Sequence, residues 1–144
     1  MTSHHAVLVA NSAVARLFDR RSLKEPWVET QDWWHGESRM HARDLERAPL
    51  GHSLAGRTGL APHTDIRERE RAEFAHDVAE GLKRAWVMDT WETLEIFASP
   101  PFLGELLAQL SPDVKKTVRR THSLDLTALS AHELERRWQQ EFKI

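Results

Sequence analysis

Nine consecutive residues, Gly51-His52-Ser53-Leu54-Ala55-Gly56-Arg57-Thr58-Gly59, combine backbone freedom with a fixed positive charge. Glycines let amide N–H groups come close to a ligand, and with Arg57 beside them such a loop is built to meet a phosphate. The order GxxxxGK[ST] is absent, so this is not a nucleoside-triphosphate P-loop. Around it, Arg39, Arg43, Arg47 and Arg57 with His35, His41, His52 and His63 outnumber Glu37, Asp44 and Glu46. That excess can follow a nucleic-acid backbone. Gly51, His52, Ser53, Gly56, Arg57, Thr58 and Gly59 are therefore the candidate contacts to a nucleic-acid backbone, and the competing reading is an ordinary surface loop. Lys115, Lys116, Arg119 and Arg120 make a second basic patch, which is a solvated rim unless it faces the same side as Arg57.

Other chemistry is less well supplied. Nine histidines raise the question of a metal, but apart from His4-His5 they are scattered and no His-Glu-x-x-His spacing occurs, so no metal site is expected. Asp19 and Glu95 fall on expected strands without an evident third carboxylate, and two-metal chemistry needs carboxylates that converge. They are read as a solvated strand face. No Ser-His-Asp arrangement can be argued, no catalytic residue is identified, and no cofactor is implied. Among six tryptophans, Trp86, Trp91 and Trp138 lie in amphipathic elements and belong to the core. Trp33 and Trp34 are adjacent on a strand and point to opposite faces, so at least one is a candidate interaction surface, with homodimer burial favoured over base stacking.

The composition limits the classes of function. The chain has 144 residues, 40% hydrophobic and 29% charged, with a formal net charge of −2. That is one soluble α/β-sized domain, and any polyanion binding must come from a local patch. Cysteine is absent, which excludes disulfides and thiolate sites. The start of the chain lacks a basic n-region and no stretch is long and apolar enough to span a bilayer, so a cytoplasmic chain without membrane insertion is expected.

The elements that must position these residues follow from pattern. Ala6–Ala10 is a continuous apolar run suited to a strand buried on both faces. A second strand over Ala15–Arg21 and a third over Trp27–Trp34 complete a meander, the third at an edge because of its polar middle. Residues 35–64 show no sustained period and are broken by glycine and proline, which reads as a long functional loop. Asp65 and Glu68 form a capping box ahead of a helix over 66–85. Thr93–Ala98 is a fourth strand, and Pro100-Pro101 opens a short helix. A brief helix near 112–116 follows, then a fifth strand over Val118–His122. Ser130 and Glu133 cap a closing helix bearing Leu134, Trp138 and Phe142. The order β-β-β-α-β-α-β-α predicts a single domain with a mixed five-stranded sheet flanked by helices, a ribonuclease H-like layout.

Three stretches together resemble the bacterial host attachment family, proteins required for attachment to host cells. They are Val7–Phe18, the Gly51–Asp65 loop running into Ile66–Glu70, and Ser99–Leu106 followed by Asp125-Leu126-Thr127. Asn11 stands where an aspartate is common. That family is similar in turn to the middle domain of archaeal and eukaryotic peptide-chain release factors, in which a Gly-Gly-Gln loop precedes a long helix and places water on peptidyl-tRNA. The resemblance implies a ribosome- or RNA-contacting module acting through residues 51–59. It does not carry over the hydrolytic glutamine, because Ala55-Gly56-Arg57 stands in the nearest place. The alternative is a protein-interaction factor in attachment that works through an aromatic or dimer surface.

Overall fold

The computed structural model describes residues 4–22, 24–36 and 62–143. Within them the chain builds β1 (His5–Ala10), β2 (Val14–Arg20), β3 (Val28–Trp34), α1 (Pro62–Met88), β4 (Thr93–Ala98), α2 (Pro100–Gln109), α3 (Pro112–Thr117), β5 (Val118–Ser123) and α4 (Ala131–Glu141). One five-stranded sheet runs in the order β3-β2-β1-β4-β5. The β1–β2 and β2–β3 pairs are antiparallel, and the β1–β4 and β4–β5 pairs are parallel. This mixed sheet covered on both faces is the architecture the residue pattern predicts, and its strand order is consistent with a ribonuclease H-like layout.

Central position explains composition. In β1 and β4 all but the first residue are buried, so both faces are apolar except at Glu95. On one face Ala6, Leu8, Leu94 and Ile96 pack with Phe74, Val78 and Leu82 of α1 and Phe102 and Leu106 of α2. The other face carries Val7, Val9, Phe18 and Phe97 under Leu134 and Trp138 of α4, with Trp27 beside them. The anticipated capping box closes α4 at both ends of the pair: Ser130 N–H donates to Glu133 at 2.9 Å and Glu133 N–H donates to Ser130 Oγ at 3.1 Å.

α1 departs from expectation at its start. It begins at Pro62, so Asp65 lies in the first turn instead of capping it. Proline supplies the preset φ and needs no amide partner at a first helical position. At 27 residues α1 is about 40 Å long, roughly twice the length of a strand of this sheet. Its last turn reaches the start of β1, where Asp89 meets His4, while Phe74 already packs against His35 and Phe102 near the opposite edge. The turns before Phe74 therefore overshoot the sheet, and Asp65 through Arg69 are exposed.

One glycine is demanded by this packing. The Trp33 indole lies directly on α1 at Gly81, where an added Cβ would overlap the ring. Gly81→Ala gains up to about 1 kcal/mol of helix propensity but must push α1 from the sheet or turn Trp33 out. The expected net is a loss of about 1–2 kcal/mol from overpacking, read as a lower urea midpoint and relieved when Trp33→Phe is added.

Candidate functional site

The parallel strands β1, β4 and β5 all end at one edge of the sheet. The carboxyl ends of parallel strands are where open α/β sheets place ligands. Asn11 follows β1 there. Its Oδ1 accepts from the amides of Ala13 and Val14 at 2.7 and 3.0 Å, which closes the β1–β2 turn. Its Nδ2 donates to Asp125 Oδ2 at 3.0 Å and to Thr127 Oγ1 at 3.1 Å, across more than a hundred residues of sequence. Asp125 Oδ1 accepts from the Thr127 amide at 3.0 Å and hydroxyl at 2.7 Å. From β2, Arg16 donates to the carbonyls of Thr127 and Leu129 at 2.8 and 2.6 Å and holds Glu29 with two further bonds at 3.1 and 2.9 Å. Ser99, just past β4, donates its amide to the Ala10 carbonyl at 3.3 Å.

Partial burial opposes ionisation of Asp125, but the bonds from Asn11 and Thr127 outweigh it and hold the carboxyl below its ordinary range. An aspartate stabilised as carboxylate is a poor general base near neutrality. The side chains of Asn11, Arg16, Asp125 and Thr127 are each spent on a neighbour, so their chemistry is that of a clasp joining the β1–β2 turn to the segment after β5.

A family model described as "Protein required for attachment to host cells" matches residues 6–137. The chain belongs to this family. No curated protein matches it. Two of the three stretches that carry the likeness, around Asn11–Phe18 and Ser99 with Asp125-Leu126-Thr127, meet at this clasp. In the third, Gly51, His52, Ser53, Gly56, Arg57, Thr58 and Gly59 lie outside the described residues.

The remaining candidates separate in space. Lys115 and Lys116 are exposed on the last turn of α3, and Arg119 is exposed at the start of β5. Arg120 instead turns under α4, where it pairs with Glu95 at 3.0 Å and donates to the Phe142 carbonyl at 2.7 Å. Trp33 packs inward and Trp34 is 43% exposed.

Two carboxylates read as a solvated strand face are neither solvated nor alone. Glu95, 5% exposed, accepts from Trp138 Nε1 at 2.9 Å and sits 2.8 Å from His122 Nε2. The His122 ring stacks on Phe97 at 4.3 Å. Asp19 bonds His4 at 2.8 Å, and with Asp89 these residues offer ligand atoms within 4.8 Å of one another. Arg21 already spans both aspartates, at 3.5 and 2.8 Å, so a guanidinium takes the place a metal cation would need. Beside them Leu17, Ala85, Met88 and Trp91 wall a half-open groove of about 250 Å³. Neither grouping has a sequence signature: the strand alternation that would place Glu95 on a covered face depends on which face α4 takes.

Asp125 gives the clasp a pH signature. A carboxyl whose folded pKa is depressed contributes its full stabilisation above the unfolded value of 3.8 and loses it as pH falls through the folded value. Asp125→Asn should therefore lower stability at neutral pH and flatten the fall below about pH 4 that wild type shows, checked by denaturation midpoints from pH 2 to 7.

Proposed function

We propose that this member of the host-attachment family is a noncatalytic protein-interaction factor, with the contact made at the β3 edge around Trp34. The carrying observation is that β3 ends the sheet with Trp34 and Val28 exposed at its two ends, and no described strand pairs with its outer side. An indole left 43% exposed is a typical anchor for a partner. Extension of the sheet along the whole of β3 is disfavoured, because a bulge opposite Leu17/Phe18 and the carboxylates Glu29 and Asp32 interrupt its middle. The contact is therefore one of side chains at the Trp34 end. The clasp is consistent with a binding role: its carboxylate, Asp125, is held below its ordinary range and is no base poised near neutrality.

Association of this kind has little salt dependence. Trp34→Ala should weaken self-association or partner capture by about tenfold or more in sedimentation velocity and pull-down with the full chain, at both low and high salt. Association unchanged in that variant removes this surface.

A second reading, an RNA- or ribosome-contacting module, is favoured by one observation: Lys115, Lys116 and Arg119 are all exposed on a chain whose net charge is −2. Loop residue Arg57 belongs to the same reading. Under it, co-sedimentation with ribosomes falls steeply with salt, and Lys115→Glu/Lys116→Glu or Arg57→Glu lowers both the binding and the salt slope. Binding equal to wild type in both variants rejects it.

A further inference from the structure

At the foot of the sheet, where β1 and β4 begin, positive charge is gathered without enough acid to match it. Register places Arg20 opposite His5 and His5 beside Thr93. On β5 the irregularity between Leu94 and Glu95 sets Arg120 opposite Glu95 and leaves Arg119 as the extra residue. Arg119 and Arg120 lie near enough to act electrostatically on Arg20, and Arg119 acts also on His5. The carboxylate that acts on Arg20, Glu95, is fully used: Trp138 takes Oε1, and His122 and Arg120 take Oε2, while Glu92 acts on the neighbouring His5. Arg20 lies over the Trp138 ring at 4.4 Å and makes no hydrogen bond or ion pair with a described residue. Its Nε is buried without an acceptor, and so is that of Arg120.

Buried donors in native proteins are nearly always satisfied, and an orphaned pair beside a saturated carboxylate marks a missing acceptor. Burial and the charges of Arg119 and Arg120 hold the Arg20 guanidinium below its ordinary range although Glu95 pulls the other way. An anion arriving here would relieve that repulsion.

We propose that Arg20, Arg119 and Arg120 form a binding site for a phosphate-class oxyanion at the foot of the sheet, beside α4. Arginine forks match tetrahedral oxyanions through paired N–H bonds, and a dianion with several acceptor oxygens suits three cations better than a single carboxylate does. Arg20 already covers the Trp138 face, so a nucleobase has no shelf there and the site reads the phosphate group alone. This site is independent of the Trp34 contact and shares only Arg119 with the RNA reading, which does not involve Arg20.

The test is calorimetric titration of the full chain with inorganic phosphate at constant ionic strength, balanced with chloride. Saturable binding with one site is expected. Arg20→Gln should weaken it at least about tenfold, the equivalent of about 1.4 kcal/mol, whereas Lys83→Gln, at an exposed lysine of α1, stays within about twofold of wild type, as a charge outside the site should. Adenosine 5′-monophosphate should bind with the affinity of phosphate, and adenosine should give no heat. Phosphate indistinguishable from chloride, or Arg20→Gln equal to wild type, overturns the site. Binding of adenosine itself, with the monophosphate more than about tenfold tighter than phosphate, overturns recognition of phosphate alone. Should Arg20→Gln not fold, nitrogen-15 spectra of wild type decide instead: the Nε–H signals of Arg20 and Arg120 shift with the calorimetric midpoint if the site is real and stay still if it is not.

Discussion

Burial of the Glu95 carboxylate constrains more of this molecule than any other single interaction. A carboxylate taken from water into a protein interior loses several kcal/mol of solvation, and only well-aimed donors recover it. Here they come from two different elements, Arg120 and His122 of β5 and the indole of Trp138 on α4. The position of α4, the bulge that brings Arg120 opposite Glu95, and the stacking of His122 between Phe97 and Phe142 are all tied to that one group. Removal of any donor would leave a charge with fewer partners in a place water cannot reach.

The same interaction sets the electrostatics at the foot of the sheet. Because Glu95 is committed to Trp138, His122 and Arg120, it cannot also neutralise Arg20, and the guanidinium is left to the Trp138 ring. Burial and the charge of Arg20 hold His5 below its ordinary range. The opposite edge shows the contrary condition. There Asn11, Arg16, Asp125 and Thr127 satisfy one another, and the residues that carry the family likeness maintain architecture. Outside the clasp lie the exposed Trp34 end of β3, the exposed lysines of α3 and the cationic foot.

Much of the architecture was legible because local signals and tertiary needs agree. The Thr93–Ala98 strand is flanked by turn residues and could hardly be anything else, and Ser130, with Glu133, announces α4 four residues before its first buried leucine. Where a local signal competed with a stronger one, it misled. Asp65 and Glu68 resemble a cap, but the proline at 62 starts the helix a turn earlier. Trp33 and Trp34 were correctly set on opposite faces, yet nothing local says which is covered. Gly81, far away on α1, receives Trp33 and leaves Trp34 outside. Asp19 and Glu95 differ from their expected setting for the same reason: their partners His4, His122 and Trp138 come from other parts of the chain, and burial of a charge is invisible until those parts are in place.

Alternation, helical period and capping residues thus determined by themselves the type and order of most described elements and the mixed sheet they form, since these depend on neighbours within a few residues. The family likeness was equally readable, because it resides in ordered short motifs. Only the tertiary structure decided which charges are paired. Asn11 reaches Asp125 across the sheet edge, Glu95 pairs with Arg120, and Arg20 lies over Trp138 without an ion pair among the described residues. Those outcomes depend on distances of about 3 Å between residues far apart in sequence, and hydrogen bonding and charge pairing are decided at that range.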